Sequence, residues 1–332
     1  MSTRSLLGIW WVGMLAWQAW ADPPAGYYAS AEGESGAELK AALHEIIRGH
    51  TVIPYSSSSR PDTADALGVL DAPAGQSGVV RLIYSRRLEP VSTFGQSTGW
   101  NREHLWPNSY GLDDVQPAYS DLHNLRAADM NVNSARGNKL YDESDRTDAR
   151  FKEPAHAEAP ATSTDGDSWE PPDEVKGDIA RALFYMDVRY EGGGVGEPQL
   201  VLTDDLARIN SAATFMGRMS TLIQWHRTDP VDAEESARND TVWTEYQGNR
   251  NPFVDHPEWV EMIFLPVLTI SRDGDTVVLS WSAHFPDAVV EAAAEIGSTW
   301  TPVNQAPVRN GEVIALTVST GSGPRLFRLR LR

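Results

Sequence analysis

Residues 100–111 read WNREHLWPNSYG, and the reading of Glu103 and His104 at their centre decides what the middle of the chain is. Either the stretch is an apolar strand ending in a polar turn, or the carboxylate and imidazole are half of a metal-assisted site. Neighbouring side chains on a regular strand point to opposite faces. The second reading therefore requires the strand to bend or end here. Pro107 supplies an ending, because proline cannot continue a hydrogen-bonded ladder.

Working outward, the next informative stretch is SDLHNLRAADMNVNSARGN at 120–138. DLHNL reads as a short strand holding Leu122 and Leu125, and Asp129 or Asn131 can cap a brief helix that runs through Asn133 and stops near Gly137. The middle of the chain is thus strand, loop, strand, short helix, with polar residues of the types that hold a hard cation and a phosphodiester. A histidine with an ordinary pKa near ~6.5 can take a proton from water at mild pH. Mg²⁺ prefers oxygen ligands and keeps several waters, so one carboxylate and one amide oxygen suffice, and Glu103 and Asn133 are such a pair. Arg136 lies one helical turn beyond Asn133, so both can address the same phosphate.

The 332-residue chain is 41% apolar, enough for one sizeable core and a small second domain. Arg4, the apolar run 6–17 and the small-x-small site Ala19-Trp20-Ala21 predict a signal peptide over 1–21, with export to the periplasm or the medium. No later stretch reaches membrane-spanning length. Cysteine is absent, which removes disulfides and thiolate-bound metal. A net charge of −18 argues against a generic polyanion-binding surface, though a metal ion and a local basic strip can invert the field inside one cleft.

Amphipathic spacing predicts helices over 38–50, with Leu39, Leu43, Ile46 and Ile47 on one face, and over 173–190, with Val175, Ile179, Leu183 and Met186 inward. Further helices are expected within 217–229 and 232–247, and long polar loops at 56–77 and 154–172. Composition changes near residue 265. Beyond it, alternating strands around an Asp-Gly turn fit a small antiparallel β-sandwich. His123, His226 and His256 read as structural histidines and the tryptophans as core. Arg328, Arg330 and Arg332 read as a solvated strand face.

The pieces NREHLWPNSYG, DLHNLRAADMNVNSARGN, EPPDEVKGDIARALFYMDVRY, LIQWHRTDPVDAEESARN and YQGNRNPFVDHPEWVE, with YYASAEGESGAELKAALHEIIRGH before them, resemble the bacterial endonuclease I nucleases in order and spacing. The resemblance runs from about residue 27 to 261 and implies an α+β fold. Its mainly helical nuclease domain, 22–265, would be built around a ββα-metal finger, with the sandwich-like domain, 266–332, following. It implies that His104 is the general base and that Glu103 and Asn133 bind a catalytic Mg²⁺, replaceable by Mn²⁺ or Ca²⁺. It also implies nonspecific cleavage of DNA, and of RNA, to 5′-phosphate ends. Some members carry a cysteine-bearing insertion between the two strands with a phosphate-contacting arginine. The corresponding link here, NSYGLDDVQPAYS, is short and holds no arginine. Arg136, Arg102 and Arg126 are the candidates for that role, and Arg250 in QGNRNPF is a further candidate nucleic-acid contact. Two readings compete: an inactive binding or adhesion protein on a nuclease fold, and a phosphodiesterase for another substrate.

Overall fold

The computed structural model describes residues 23–112, 114, 117–194, 197–212, 214–319 and 326–331. The expected signal peptide lies outside the described residues. Helix α1, Gly36–Ile47, buries Leu39, Leu43, His44 and Ile47 and ends three residues before the expected His50. Helix α2, Thr63–Leu70, falls inside the stretch expected to be loop. Asp62 accepts from the backbone N–H of Ala64 and Asp65 while the Asp65 carboxylate accepts from Asp62 N–H. That reciprocal cap, built on two acids, satisfies the helix's free N–H groups without the usual Ser/Thr–Glu pairing.

Strand β1 is Trp100–His104 and β2 is Leu125–Asp129, antiparallel, with Glu103 opposite Arg126 and His104 opposite Leu125. Helix α3, Met130–Arg136, follows β2 without a break and stops at Gly137, whose φ of +62° is the left-handed conformation that glycine adopts at no steric cost. The order strand, strand, short helix is as read from the sequence. The start of the second strand is not: residues 121–124 form a turn in which the Asp121 carbonyl accepts from the N–H of Asn124 and Leu125.

Helix α4, Lys176–Arg189, is the core of the nuclease-like part, and Ile179, Leu183 and Met186 are fully buried as their spacing requires. Helices α5 (Met219–Thr228), α6 (Ala233–Thr241) and α7 (Glu258–Phe264) complete the helical layer. α4 packs on α1 and α5. Trp100, Trp106, Trp169 and Trp225 are all buried, which confirms them as packing residues. His226 and His256 are held structurally, the latter stacked on Trp259 at 4.0 Å.

From Thr269 onward only strands occur among the described residues. Strands β3 (Thr269–Asp273), β4 (Thr276–Ser282), β5 (Val289–Ala293), β6 (Thr301–Pro302), β7 (Val308–Asn310), β8 (Val313–Ser319) and β9 (Leu326–Arg330) form two antiparallel sheets, ordered β3-β4-β8-β7 and β6-β5-β9. Leu279, Trp281, Leu316 and Val318 from one sheet and Val290 from the other join a shared core. Arg328 and Arg330 both ion-pair with Glu291 on the neighbouring strand, so their alternation is cross-strand charge pairing; Arg332 lies outside the described residues. The sheets rest on the helical part through Asp204 N–H to the His284 carbonyl, 2.9 Å, and Arg309 to Asp205, 2.5 Å. No helix among the described residues is long and apolar enough to cross a membrane.

Candidate active site

β1 keeps its alternation to its end. Trp100, Arg102 and His104 leave on one side, where Trp100 joins the cluster of Leu67, Val80, Leu82, Leu125 and Ala127. There the Arg102 guanidinium lies 3.8 Å from the Tyr55 ring centre, and His104 stacks on the same tyrosine at 5.6 Å. Asn101 and Glu103 leave on the other side, towards α3. The strand ends at His104, three residues before Pro107, without first turning Glu103 and His104 onto one face. The two side chains flank the strand instead.

Helix α3 runs along the edge of β1 that β2 leaves free. The carbonyls on this edge are taken by helix side chains: Asn133 Nδ2 donates to the Arg102 carbonyl at 3.1 Å, and Arg136 donates to those of His104 and Leu105, each at 3.0 Å. Asn133 also donates to Asn101 Oδ1 at 2.9 Å, and Arg136 Nη1 reaches Glu103 Oε1 at 3.2 Å. Residues one turn apart on the helix thus meet residues two apart on the strand, which brings Asn133 and Glu103 to one side of β1. Glu103 is 2% exposed. Burial raises its pKa, while Arg136 and the Tyr84 hydroxyl, 2.5 Å from Oε1, act in the opposite direction.

Among the described residues nothing donates to Glu103 Oε2 or to Asn133 Oδ1, because the other oxygen and the amide nitrogen carry the contacts. These are two hard oxygen donors of the kind that Mg²⁺ accepts alongside retained waters. No group of three or more His, Asp or Glu able to hold a metal exists among the described residues, so any cation here would rest on one carboxylate and one amide. The donor set fits a weakly held, largely hydrated ion.

His104 sits between Tyr55 and Tyr119, and its Nε2 lies 2.8 Å from the Tyr119 carbonyl. A carbonyl only accepts, so Nε2 carries the hydrogen and Nδ1 keeps its lone pair. Burial, reinforced by Arg102 and Arg136, lowers the ring's pKa to about 4 against the pull of that hydrogen bond. The imidazole is neutral at every mild pH and its free nitrogen can accept a proton.

The arginines are placed differently from expectation. Arg136 shares a helix face with Asn133 but is 1% exposed and turned onto Glu103 and the strand carbonyls, so it braces the site from behind. Arg126, expected as a phosphate or nucleic-acid contact, is half-buried between Asp71 and Asp178. Arg250 is buried on Asp240 and Asp255. A guanidinium drawn out of water is paired internally, and the acids beside Arg126 and Arg250 supply that pairing. Arg102 is half-exposed beside His104, with donors directed to Tyr55 O, Thr63 and Ser56. Sequence reasoning missed Tyr55, Tyr84, Tyr119 and Tyr141, since a single tyrosine carries no local signal of the distant residues it will meet. His123 is buried on Tyr185 and beside Asp121, away from this site.

The family model of Endonuclease I matches residues 35–258. The chain is 45% identical over 240 residues to the extracellular ribonuclease of Bacillus amyloliquefaciens, covering 72% of this chain and 78% of that one. It is 43% identical over 240 residues to the extracellular ribonuclease of Bacillus subtilis strain 168, with the same coverage. The match spans the strands and helix that carry Glu103, His104 and Asn133, and the chain belongs to the Endonuclease I family of nucleases.

Proposed function

We propose that this chain is an exported, Mg²⁺-dependent endonuclease that hydrolyses phosphodiester bonds of nucleic acid without sequence preference, leaving 5′-phosphate ends. The observation that carries this reading is the pairing of two bare oxygen donors, Glu103 Oε2 and Asn133 Oδ1, with a neutral imidazole at the end of the same strand. Glu103 and Asn133 hold the cation. When bound, it supplies charge stabilisation to the phosphoryl oxygens and to the departing 3′-oxygen. His104 Nδ1 takes the proton of the attacking water, and the Nε2–H bond to the Tyr119 carbonyl fixes the tautomer that makes this possible. Tyr55 and Tyr119 keep the ring from rotating. Because Glu103 and His104 flank β1, the phosphate lies across the strand's end and is reached from both sides. Arg102 is the guanidinium on the His104 side and takes the phosphate contact, released from its present acceptors. The ββα-metal finger is then β1, β2 and α3.

RNA belongs among the substrates as well as DNA, because both relatives carry the name ribonuclease. Export agrees with their description as extracellular and with the leader-like residues 1–21. The net charge of −18 makes binding weak outside the cleft. The test is cleavage of supercoiled plasmid and of an end-labelled RNA by the purified chain, with and without EDTA and Mg²⁺. Wild type cuts only with the metal, and Glu103→Ala and His104→Ala cut neither substrate at a comparable rate. Equal cleavage by all three proteins would remove the proposed site.

A further inference from the structure

The Glu103 carboxylate is served by groups that never reach the substrate. Two separate segments converge on its Oε1, and a third backs one of them. Tyr84, from the turn after the strand Val79–Arg81, places its hydroxyl 2.5 Å away, and Arg136 of α3 places Nη1 3.2 Å away. Tyr141, from the strand Leu140–Tyr141, sets its hydroxyl 2.6 Å from that of Tyr84. The direction of this chain is fixed by chemistry. An ionised carboxylate only accepts, so the single Tyr84 proton goes to Glu103, and the Tyr141 proton must go to the Tyr84 oxygen. The Arg136 guanidinium lies 4.5 Å from the Tyr141 ring centre and closes the loop. Both tyrosines are fully buried, and Tyr84 is wedged edge-on against Trp169 at 5.3 Å. Two buried hydroxyls in an otherwise apolar wall are costly unless each has a partner, and among the described residues their partners are each other and Glu103.

Both direct contacts to the carboxylate, from Tyr84 and Arg136, fall on one oxygen. A carboxylate held at one oxygen by two donors cannot swing, and its other oxygen is presented in a fixed direction. We infer that Tyr84 and Tyr141 are positioning residues that orient Glu103, so that Oε2 is presented to the divalent cation. The inference rests on the reading of Glu103 as a cation ligand. Outer partners of this kind are worth about 10–100-fold in metal affinity when removed.

The test is Mn²⁺ binding to the full chain by calorimetry, alongside thermal melts, for wild type, Tyr84→Phe, Tyr141→Phe and Glu103→Ala. Tyr84→Phe keeps the ring and deletes one hydroxyl, and should weaken Mn²⁺ binding about tenfold or more. Tyr141→Phe leaves the Tyr84–Glu103 bond in place and should weaken it by a smaller factor. Glu103→Ala should abolish it. Tyr84→Phe that melts earlier but binds Mn²⁺ as wild type does would reduce the tyrosine to a packing role and overturn the inference. If Tyr84→Phe does not fold, Tyr141→Phe decides: weaker binding supports the inference and unchanged binding overturns it. Wild-type Mn²⁺ affinity in Glu103→Ala would instead remove the cation reading itself, and the inference with it.

Discussion

Replacing Asp121 by asparagine tests whether the turn before β2 is a designed anchor or a passive loop. Asp121 is 1% exposed, yet its carboxylate takes the Tyr185 hydroxyl at 2.9 Å, the Tyr190 hydroxyl at 2.7 Å, Gln247 Nε2 at 3.1 Å and the His123 N–H at 3.0 Å. Burial alone would raise its pKa. His50, His123 and these donors outweigh it and hold the group at about 2 against an ordinary 3.8. Each pH unit of such a shift is worth about 1.4 kcal/mol, so the charge contributes on the order of 2 kcal/mol near neutral pH. The folded pKa is the lower one, so this stability is present above about pH 4 and is lost as pH falls towards the folded value. Urea unfolding of wild type and Asp121→Asn should give a gap of about 2–3 kcal/mol near neutral pH that narrows below about pH 4. Asp121→Ala should cost more, because it strands three side-chain donors at about 1–3 kcal/mol each. An Asn variant as stable as wild type near neutral pH, or a gap that does not change with acid, would refute the reasoning.

Three further outcomes follow from the site. Arg136→Met leaves the Glu103 carboxylate and two strand carbonyls without their donor, and unfolding in urea should record a loss of about 3–5 kcal/mol, the usual cost of breaking a buried pair. A loss near zero would mean that α3 does not brace β1. With His104 at about 4, the base is already neutral well below its ordinary range, so the acid limb of kcat/KM should fall near pH 4; a limb at about 6.5 would mean that the ring is solvated in the working enzyme. His104→Ala should lower kcat by about 10²–10⁴-fold at any pH above that limb.

What could be read from the sequence followed where the physics is local. The 3.6-residue spacing of Ile179, Leu183 and Met186 survives intact as the core helix, and the strand–strand–helix order around Glu103, His104 and Asn133 is the order observed. Helix α2 escaped because its cap uses Asp65 where Glu or Gln is the usual signal, within a serine-rich stretch that reads as loop. DLHNL reads as a short strand from its two leucines, Leu122 and Leu125, among polar residues. Asp121 instead folds back on its own backbone and on Gln247, 126 positions away. The arginines show a related limit. Charge type can be read from sequence, but whether a guanidinium faces solvent depends on acids such as Asp71 and Asp255, which only the tertiary fold brings to it. The tyrosine chain behind Glu103 joins residues 84, 103, 136 and 141, and no short-range pattern links them.

The account stands most directly on where a divalent ion binds. Anomalous diffraction from crystals of the full chain soaked in Mn²⁺ would locate it. The prediction is a single strong peak in contact with Glu103 Oε2 and Asn133 Oδ1, with water completing its shell, and no peak in Glu103→Ala crystals. A peak elsewhere, or one at this position that persists in Glu103→Ala, would contradict the account.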